Sequence, residues 1–185
     1  IRSCQVAVEW LENPIGYEIE TMRYFNSRER DFSPTFGTDD YATVFFTSTR
    51  DDATGKETHG ATGENFSDIF VSRQNRKGKW STPVPMGEEF STEADDGTPS
   101  ISHDFSVLYF TRCPRGKNEQ LGCQIYSSRR TGMEWSKPDK LGILADSIVA
   151  AHPAIGPNNQ TLYFVSDQDG SIGGKDIWKV TRANE

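Results

Sequence analysis

Apolar residues in this chain arrive in short bursts separated by polar turns. Three bursts match closely: Thr43–Ser48 (TVFFTS), Val107–Arg112 (VLYFTR) and Thr161–Ser166 (TLYFVS). Runs this short, rich in β-branched and aromatic residues and bounded by Gly, Asn, Asp and Ser, predict β-strands. A shorter burst follows each: Asp68-Ile-Phe, Gln124-Ile-Tyr and Asp176-Ile-Trp. Pro34, Pro99 and Pro153 precede the strong bursts, 65 and 54 residues apart, and the steps from Pro to Phe46, Phe110 and Phe164 are 12, 11 and 11. Trp80 and Trp135 head a fourth element, Trp-Ser-x-Pro, with Gly87 and Gly142 seven residues on in both copies. No window carries a helical period.

The repeat decides the architecture. Each copy reads as four short strands joined by tight turns (Thr38–Asp40, Ser102–Asp104, Gly156–Asn159) whose residues tolerate left-handed backbone. Four-stranded units of this length are the signature of a β-propeller blade, which cannot bury its apolar face alone. The expected fold is all-β, a propeller segment of about three antiparallel blades. Residues 31–95 are read as a complete blade with a long insertion, 96–150 as a second complete blade, and 151–185 as a blade lacking its fourth strand. In residues 1–30, Cys4–Trp10 alternates like a third strand and Tyr17–Met22 like a fourth, predicting the last two strands of a preceding blade. Propellers close with about 4–8 blades, so the expectation is a larger ring, six blades being one candidate; the alternative is association of two copies.

Composition narrows the partners. With 20 basic and 27 acidic residues the net charge is −7, and basic residues do not cluster, which argues against nucleic acid. Mean hydropathy is −0.67, and no run approaches the ~20 apolar residues of a membrane span. Cys113 and Cys123 flank the loop between second and third strands of the middle blade, where adjacent strands can bring two cysteines within bridging distance. A disulfide there implies an oxidising compartment; two free thiols or a metal pair are the alternatives. Cys4 is left over, either as a buried free thiol or as the partner of a cysteine outside this chain.

Pro-x-Ile-Ser, Leu-Tyr-Phe-Thr, Trp-Ser-x-Pro and the terminal Ser166–Trp178 element (SDQDGSIGGKDIW) resemble the WD40-like, TolB-type propeller repeats. More narrowly, they resemble those of OmpA-family outer-membrane lipoproteins of the Bacteroidetes, including the PorE-type component of the type IX secretion system. The resemblance implies a periplasmic propeller at the outer membrane, within a cell-envelope complex of protein partners. Contact with peptidoglycan would come through domains outside this chain, and no cofactor is implied.

Candidate chemistry is sparse. Asp31, Asp96 and His152 precede the repeat prolines and are candidates for polar groups at a channel rim; the structural reading is that the Asp side chains accept turn N–H groups. The insertion holding Asp51, Asp52, Lys56, His59 and Glu64 is the candidate partner-contact loop. Asp167, Asp169 and Asp176 faintly suggest a calcium loop, but an EF-hand needs a ligand where Trp178 stands. Trp80, Trp135 and Trp178 are expected to pack between blades. No catalytic triad, phosphate loop or zinc spacing is present.

The reading that follows is a non-catalytic scaffold. Its rivals are a propeller glycosidase or lyase and a glycan-binding module, either acting on envelope polysaccharide. Replacement of Trp135 by Ala is expected to cost about 3–5 kcal/mol, as buried aromatic truncations do; an unchanged midpoint in a denaturant titration would show that this ring is outside the core.

Overall fold

The computed structural model describes residues 2–14, 16–54, 63, 65–113 and 121–183. Its strands form three antiparallel sheets in chain order. Blade 1 runs β1 (Asp31–Phe36), β2 (Thr43–Ser48), β3 (Asp68–Arg73) and β4 (Val84–Pro85). Blade 2 runs β5 (Asp95–Ile101), β6 (Val107–Cys113), β7 (Gln124–Thr131), β8 (Glu134–Trp135) and β9 (Asp139–Lys140), the last two both pairing with β7. Blade 3 runs β10 (Ala150–Ile155), β11 (Thr161–Ser166) and β12 (Asp176–Thr181). The first strands lie side by side, β1 against β5 and β5 against β10, so the sheets stack radially about them. This is the arrangement of β-propeller blades.

The repeat prolines have a structural consequence. Proline cannot donate to a ladder and is tolerated at bulges. Each first strand skips register there: between Phe32 and Thr35, between Gly97 and Ser100, and between Ala151 and Ala154. The residue before each proline, Ser33, Thr98 or His152, takes a φ of 51 to 53°. Left-handed backbone in a non-glycine residue is unfavourable unless its surroundings enforce it. Here it turns an N–H out of the sheet towards the preceding blade. Thr98 N donates to Thr47 Oγ1 at 2.8 Å, and His152 N to Thr111 Oγ1 at 2.8 Å. A second repeated bond joins the strand beginnings, Asp96 N to Ser67 O and Ala150 N to Cys123 O, both 2.8 Å. The blades approach so closely at the first hook that a Cβ on Gly97 would sit 2.6 Å from Thr47 Cγ2.

Apolar packing follows the same plan. Phe45, Ile69 and Val71 on one face of blade 1 pack against Phe90, Leu108 and Phe110 of blade 2. Tyr109 and Ile125 on the far face of blade 2 pack against Ala150, Leu162 and Phe164 of blade 3. Trp135 lies in the first seam, edge-on to Phe45 at 6.0 Å, with Arg130 above its ring at 4.6 Å. Arg130 also donates to Gly37 O of blade 1 at 2.6 Å. Trp178 packs in the second seam, and Trp80 against Phe25 on the open face of blade 1.

Residues 1–30 differ from the expected half blade. Arg2–Glu12 forms a helix, α1, with no buried residue, and Tyr17–Met22 is irregular. The alternation of Cys4, Val6, Val8 and Trp10 coexists with a 3.6-residue spacing of Cys4, Ala7, Val8 and Leu11. A helix satisfies its own backbone groups, whereas a strand needs a neighbour. Asn13 closes the helix by bonding Glu9 O, and Pro14 follows. The register of the repeat resumes at Phe25, which packs on Phe46 at 5.7 Å.

Replacing Thr47 by Val should leave the Thr98 N–H buried without an acceptor, at a cost of about 1–3 kcal/mol. Thr47→Ser keeps the acceptor and should lose less. Equal losses in the two variants, read from denaturant midpoints, would count against the hook.

Candidate functional site

The candidate polar residues gather at one rim of the blades, where first strands begin and second strands end. Asp31 pairs with Ser48 across the sheet, Asp96 with Arg112, and Ala150 with Ser166. Asp31 and Asp96 therefore hold equivalent positions. His152 lies two residues further along its strand, at the bulge, and Ala150 occupies the aspartate position of blade 3. The two aspartates thus share a register position that His152 does not.

Each aspartate is enclosed by the same set of donors. Asp31 Oδ2 accepts Ser27 N at 2.6 Å and Ser27 Oγ at 2.8 Å. Asp96 Oδ2 accepts Thr92 N at 2.9 Å and Thr92 Oγ1 at 2.7 Å. The other oxygen meets a guanidinium: Arg50 Nη2 lies 2.5 Å from Asp31 Oδ1, and Arg112 Nε 2.5 Å from Asp96 Oδ1. The two arginines come from different sequence positions yet end over equivalent aromatic pairs. Arg50 lies above Phe46 and Phe70 at 5.2 and 5.0 Å, Arg112 above Phe110 and Tyr126 at 5.4 and 4.9 Å. Each guanidinium also donates to the connection entering its blade, at Phe25 O or Glu89 O.

Burial differs between the two sites, and the acidities follow it. Burial opposes ionisation of Asp31, but the bonds from Ser27, Arg50 and Ser48 outweigh it and hold its pKa below the ordinary value. Asp96 is fully buried, and burial raises its pKa against the pull of Arg112 and Thr92. His152 is exposed as a residue; partial burial, then the charge of Lys175, depress its pKa.

Asp68, which the motif reading treated only as part of a strand signature, is a further buried acid. It is 0% exposed, it caps the insertion by accepting Thr54 N–H, and its Oδ1 has no hydrogen-bond partner. Desolvation pushes its pKa up to about 6; the bonds from Thr54 oppose this, Asp96 adds to it and Arg112 opposes it. The signal lay in the repeat: the same position is Gln124, donating to Ile148 O at 2.8 Å, and Asp176, accepting Ile172 N–H. Arg50 and Arg112 were legible only as scattered basic residues.

The remaining candidates are placed as follows. Asp51 and Asp52 are exposed at the start of the insertion, Asp51 Oδ1 facing Asn65 Nδ2 at 3.4 Å, while Lys56, His59 and Glu64 lie outside the described residues. Cys113 and Cys123 are joined in a disulfide, and Cys4 is a free thiol that is exposed on α1 and not buried as expected, because α1 packs no residue into the core. Asp167 Oδ1 accepts Val149 N at 2.9 Å, which with the Asp176 bond directs two of the three calcium-loop carboxylates at backbone. Among the described residues no group of three or more His, Cys, Asp or Glu gathers as a metal site. No described helix is long and apolar enough to cross a membrane.

Radial sheets, repeated seams and first strands turned inward define the chain as a segment of a β-propeller. No protein-family model and no curated protein matches it. Among solved structures it is similar to a puromycin-hydrolyzing peptidase of Mycobacterium tuberculosis, with a TM-score of 0.54 and 11% identity, covering 84% of this chain and 22% of that one. It is also similar to TolB from Acinetobacter baumannii, with a TM-score of 0.48 and 14% identity, covering 83% of this chain and 33% of that one. The chain thus spans a third or less of the length of either protein, and likeness at such identity concerns fold alone.

Because Asp68 binds its proton more tightly folded than unfolded, stability falls as pH rises from about 4, its unfolded range, through about 6. Asp68→Asn removes the buried charge and keeps an acceptor for Thr54. It should stabilise the protein by roughly 1–3 kcal/mol at pH 8 and by little at pH 4. A gain equal at both pH values in thermal melts would detach the effect from ionisation.

Proposed function

We propose that the chain is a propeller scaffold, a rigid protein-binding segment of a periplasmic assembly at the outer membrane and cell wall, of the kind used by the type IX secretion system. The observation that carries this reading is the commitment of the rim carboxylates. Asp31 and Asp96 each spend both oxygens on a Ser or Thr of the connection entering the blade and an Arg that follows or ends its second strand. A retaining or inverting glycosidase needs two carboxyl groups about 5–9.5 Å apart and free to face substrate. Carboxylates tied into ion pairs serve instead to hold the blade entries in place, and a rigid frame loses less entropy when its loops engage a partner.

Three further observations support the details. The Cys113–Cys123 bridge fits an oxidising compartment such as the periplasm. The net charge of −7 without a basic cluster disfavours nucleic acid. The repeat elements from Pro99 to Trp178 carry the resemblance to envelope lipoprotein propellers, and peptidoglycan contact would belong to domains outside this chain.

The test places a photo-crosslinking residue at Asp52, beside the insertion, or at Asn158, in a turn at the other end of the blades, in cells of the source organism. Adducts with envelope proteins are expected from position 52 and not from 158. Absence of adducts at position 52, or turnover of cell-wall polysaccharide by the purified protein that Asp31→Asn and Asp96→Asn abolish, would overturn the scaffold reading.

A further inference from the structure

At the end of the blades opposite the aspartate rim, two arginines meet in the seam between blades 1 and 2. Arg73 ends β3, two residues beyond Val71 and four beyond Ile69, so it lies on the face that blade 1 turns to blade 2. Arg130 pairs with Trp135 and lies four residues beyond Tyr126, on the face that blade 2 turns to blade 1. Its Nη2 donates to Gly37 O at 2.6 Å, and Gly37, Thr43 and Arg73 form one row across the strands of blade 1. Burial and then the charge of Arg73 lower the pKa of Arg130. Like charges held this close repel unless something of opposite sign lies between them.

The described residues supply no such group. Neither arginine enters an ion pair among them, and Arg130 Nε is buried without a hydrogen-bond partner. Of the acids in the turns at this end, Asp40 accepts Thr38 Oγ1 and Ala42 N, and Asp104 accepts the hydroxyls of Ser102 and Ser106. Glu134 pairs with Thr131, on the opposite face of the sheet from Arg130 and Trp135. The seam between blades 2 and 3 repeats the two positions. Arg129 stands opposite Val107 as Arg73 stands opposite Thr43, and Arg182 N bonds Gln160 O as Arg130 N bonds Ser106 O.

The aspartate rim shows which group is missing. Arg50 and Arg112 each lie above aromatic rings, each donate to a backbone carbonyl, and each hold a carboxylate. Arg130 lies above Trp135 and donates to a backbone carbonyl, but holds no acid. We propose that the seam between blades 1 and 2 binds the carboxylate of a ligand between Arg73 and Arg130, the ligand being a free carboxylic acid or an acidic peptide side chain. The paired oxygens of a carboxylate match the fork of a guanidinium, and their charge relieves the repulsion between the arginines. The proposal goes beyond the scaffold reading and does not depend on it.

Nuclear magnetic resonance of the isotope-labelled 185-residue chain tests this, read at the Trp135 indole N–H and the Arg130 Nε–H. The probes are succinate, an acetylated Gly-Glu-Gly amide and inorganic phosphate, each titrated at fixed ionic strength. Saturable shifts are expected with both carboxylates; tighter binding of the peptide assigns a peptide ligand, and tighter binding of succinate a free acid. Arg73→Gln alters an exposed side chain, so melting should be unchanged while binding weakens by about tenfold or more. Arg76→Gln removes the same charge from the turn after β3 and should leave binding unchanged. Shifts that rise without saturating, equal losses in the two variants, or tighter binding of phosphate than of either carboxylate would each overturn the proposal.

Discussion

The contact on which the rest of the molecule depends is the bond from a bulged first strand to the threonine of the blade before it. Sheets packed only through apolar faces can slide, because dispersion and hydrophobic contact are non-directional. A buried N–H has one acceptor and a narrow geometry. Thr98 and His152 can present that N–H only from a left-handed backbone, and the proline that follows opens the ladder at that point. The strain is retained because leaving the N–H unpaired in the seam would cost more. Once the hook fixes the offset between blades, Phe45 meets Trp135 and Tyr109 meets Phe164 without further instruction.

The ionic clusters depend on that frame. A buried ion pair is a weak source of net stability, since desolvation offsets its attraction. Asp96 and Arg112 are better understood as a positional device: carboxylate, guanidinium and aromatic pair together tie the blade entry at Thr92 and Glu89 to its second strand. Blade 1 builds the same device with an arginine from another position, which shows that the constraint acts on where the charge ends and not on where it starts. Blade 3 has Ala150 in place of the aspartate, and Gln124 of blade 2 holds its entry by donating to Ile148 O.

How much of this could be read from residues alone follows from the range of each interaction. The blade was legible because Leu-Tyr-Phe and Ile-Tyr tracts report burial on both sheet faces, a local property that recurs in each copy. The hook was not legible, because Thr47 and Thr98 are 51 residues apart and neither is unusual in a strand. The N-terminal stretch misled for a different reason. Val6, Val8 and Trp10 alternate, but Cys4, Ala7, Val8 and Leu11 keep a helical spacing in the same stretch, and the chain takes the helix. Asp31 and Asp96 were singled out together with His152 because all three precede a proline, yet only the aspartates share a register position, and two residues along a strand with a bulge change the face entirely.

What the frame consumes bears on where the proposed partner contact can lie. The seams use the threonines, the aspartates and their arginines, and most of the aromatic rings. The connections that vary in length between copies run from Asp51 to Asn65 and between Cys113 and Cys123, and the proposed partner contact falls on the first of them. Their described ends lie at the same rim, because each connection joins a second strand to a third. Asp68 sits at the root of the first, with one oxygen on Thr54 and the other unpartnered beside Asp96 and Arg112. That carboxylate ties Thr54 to the start of β3, and the described ends of the loop are held beside it by Asn65 Nδ2 on Thr49 O and by Ala53 against Val44, Phe46 and Phe70.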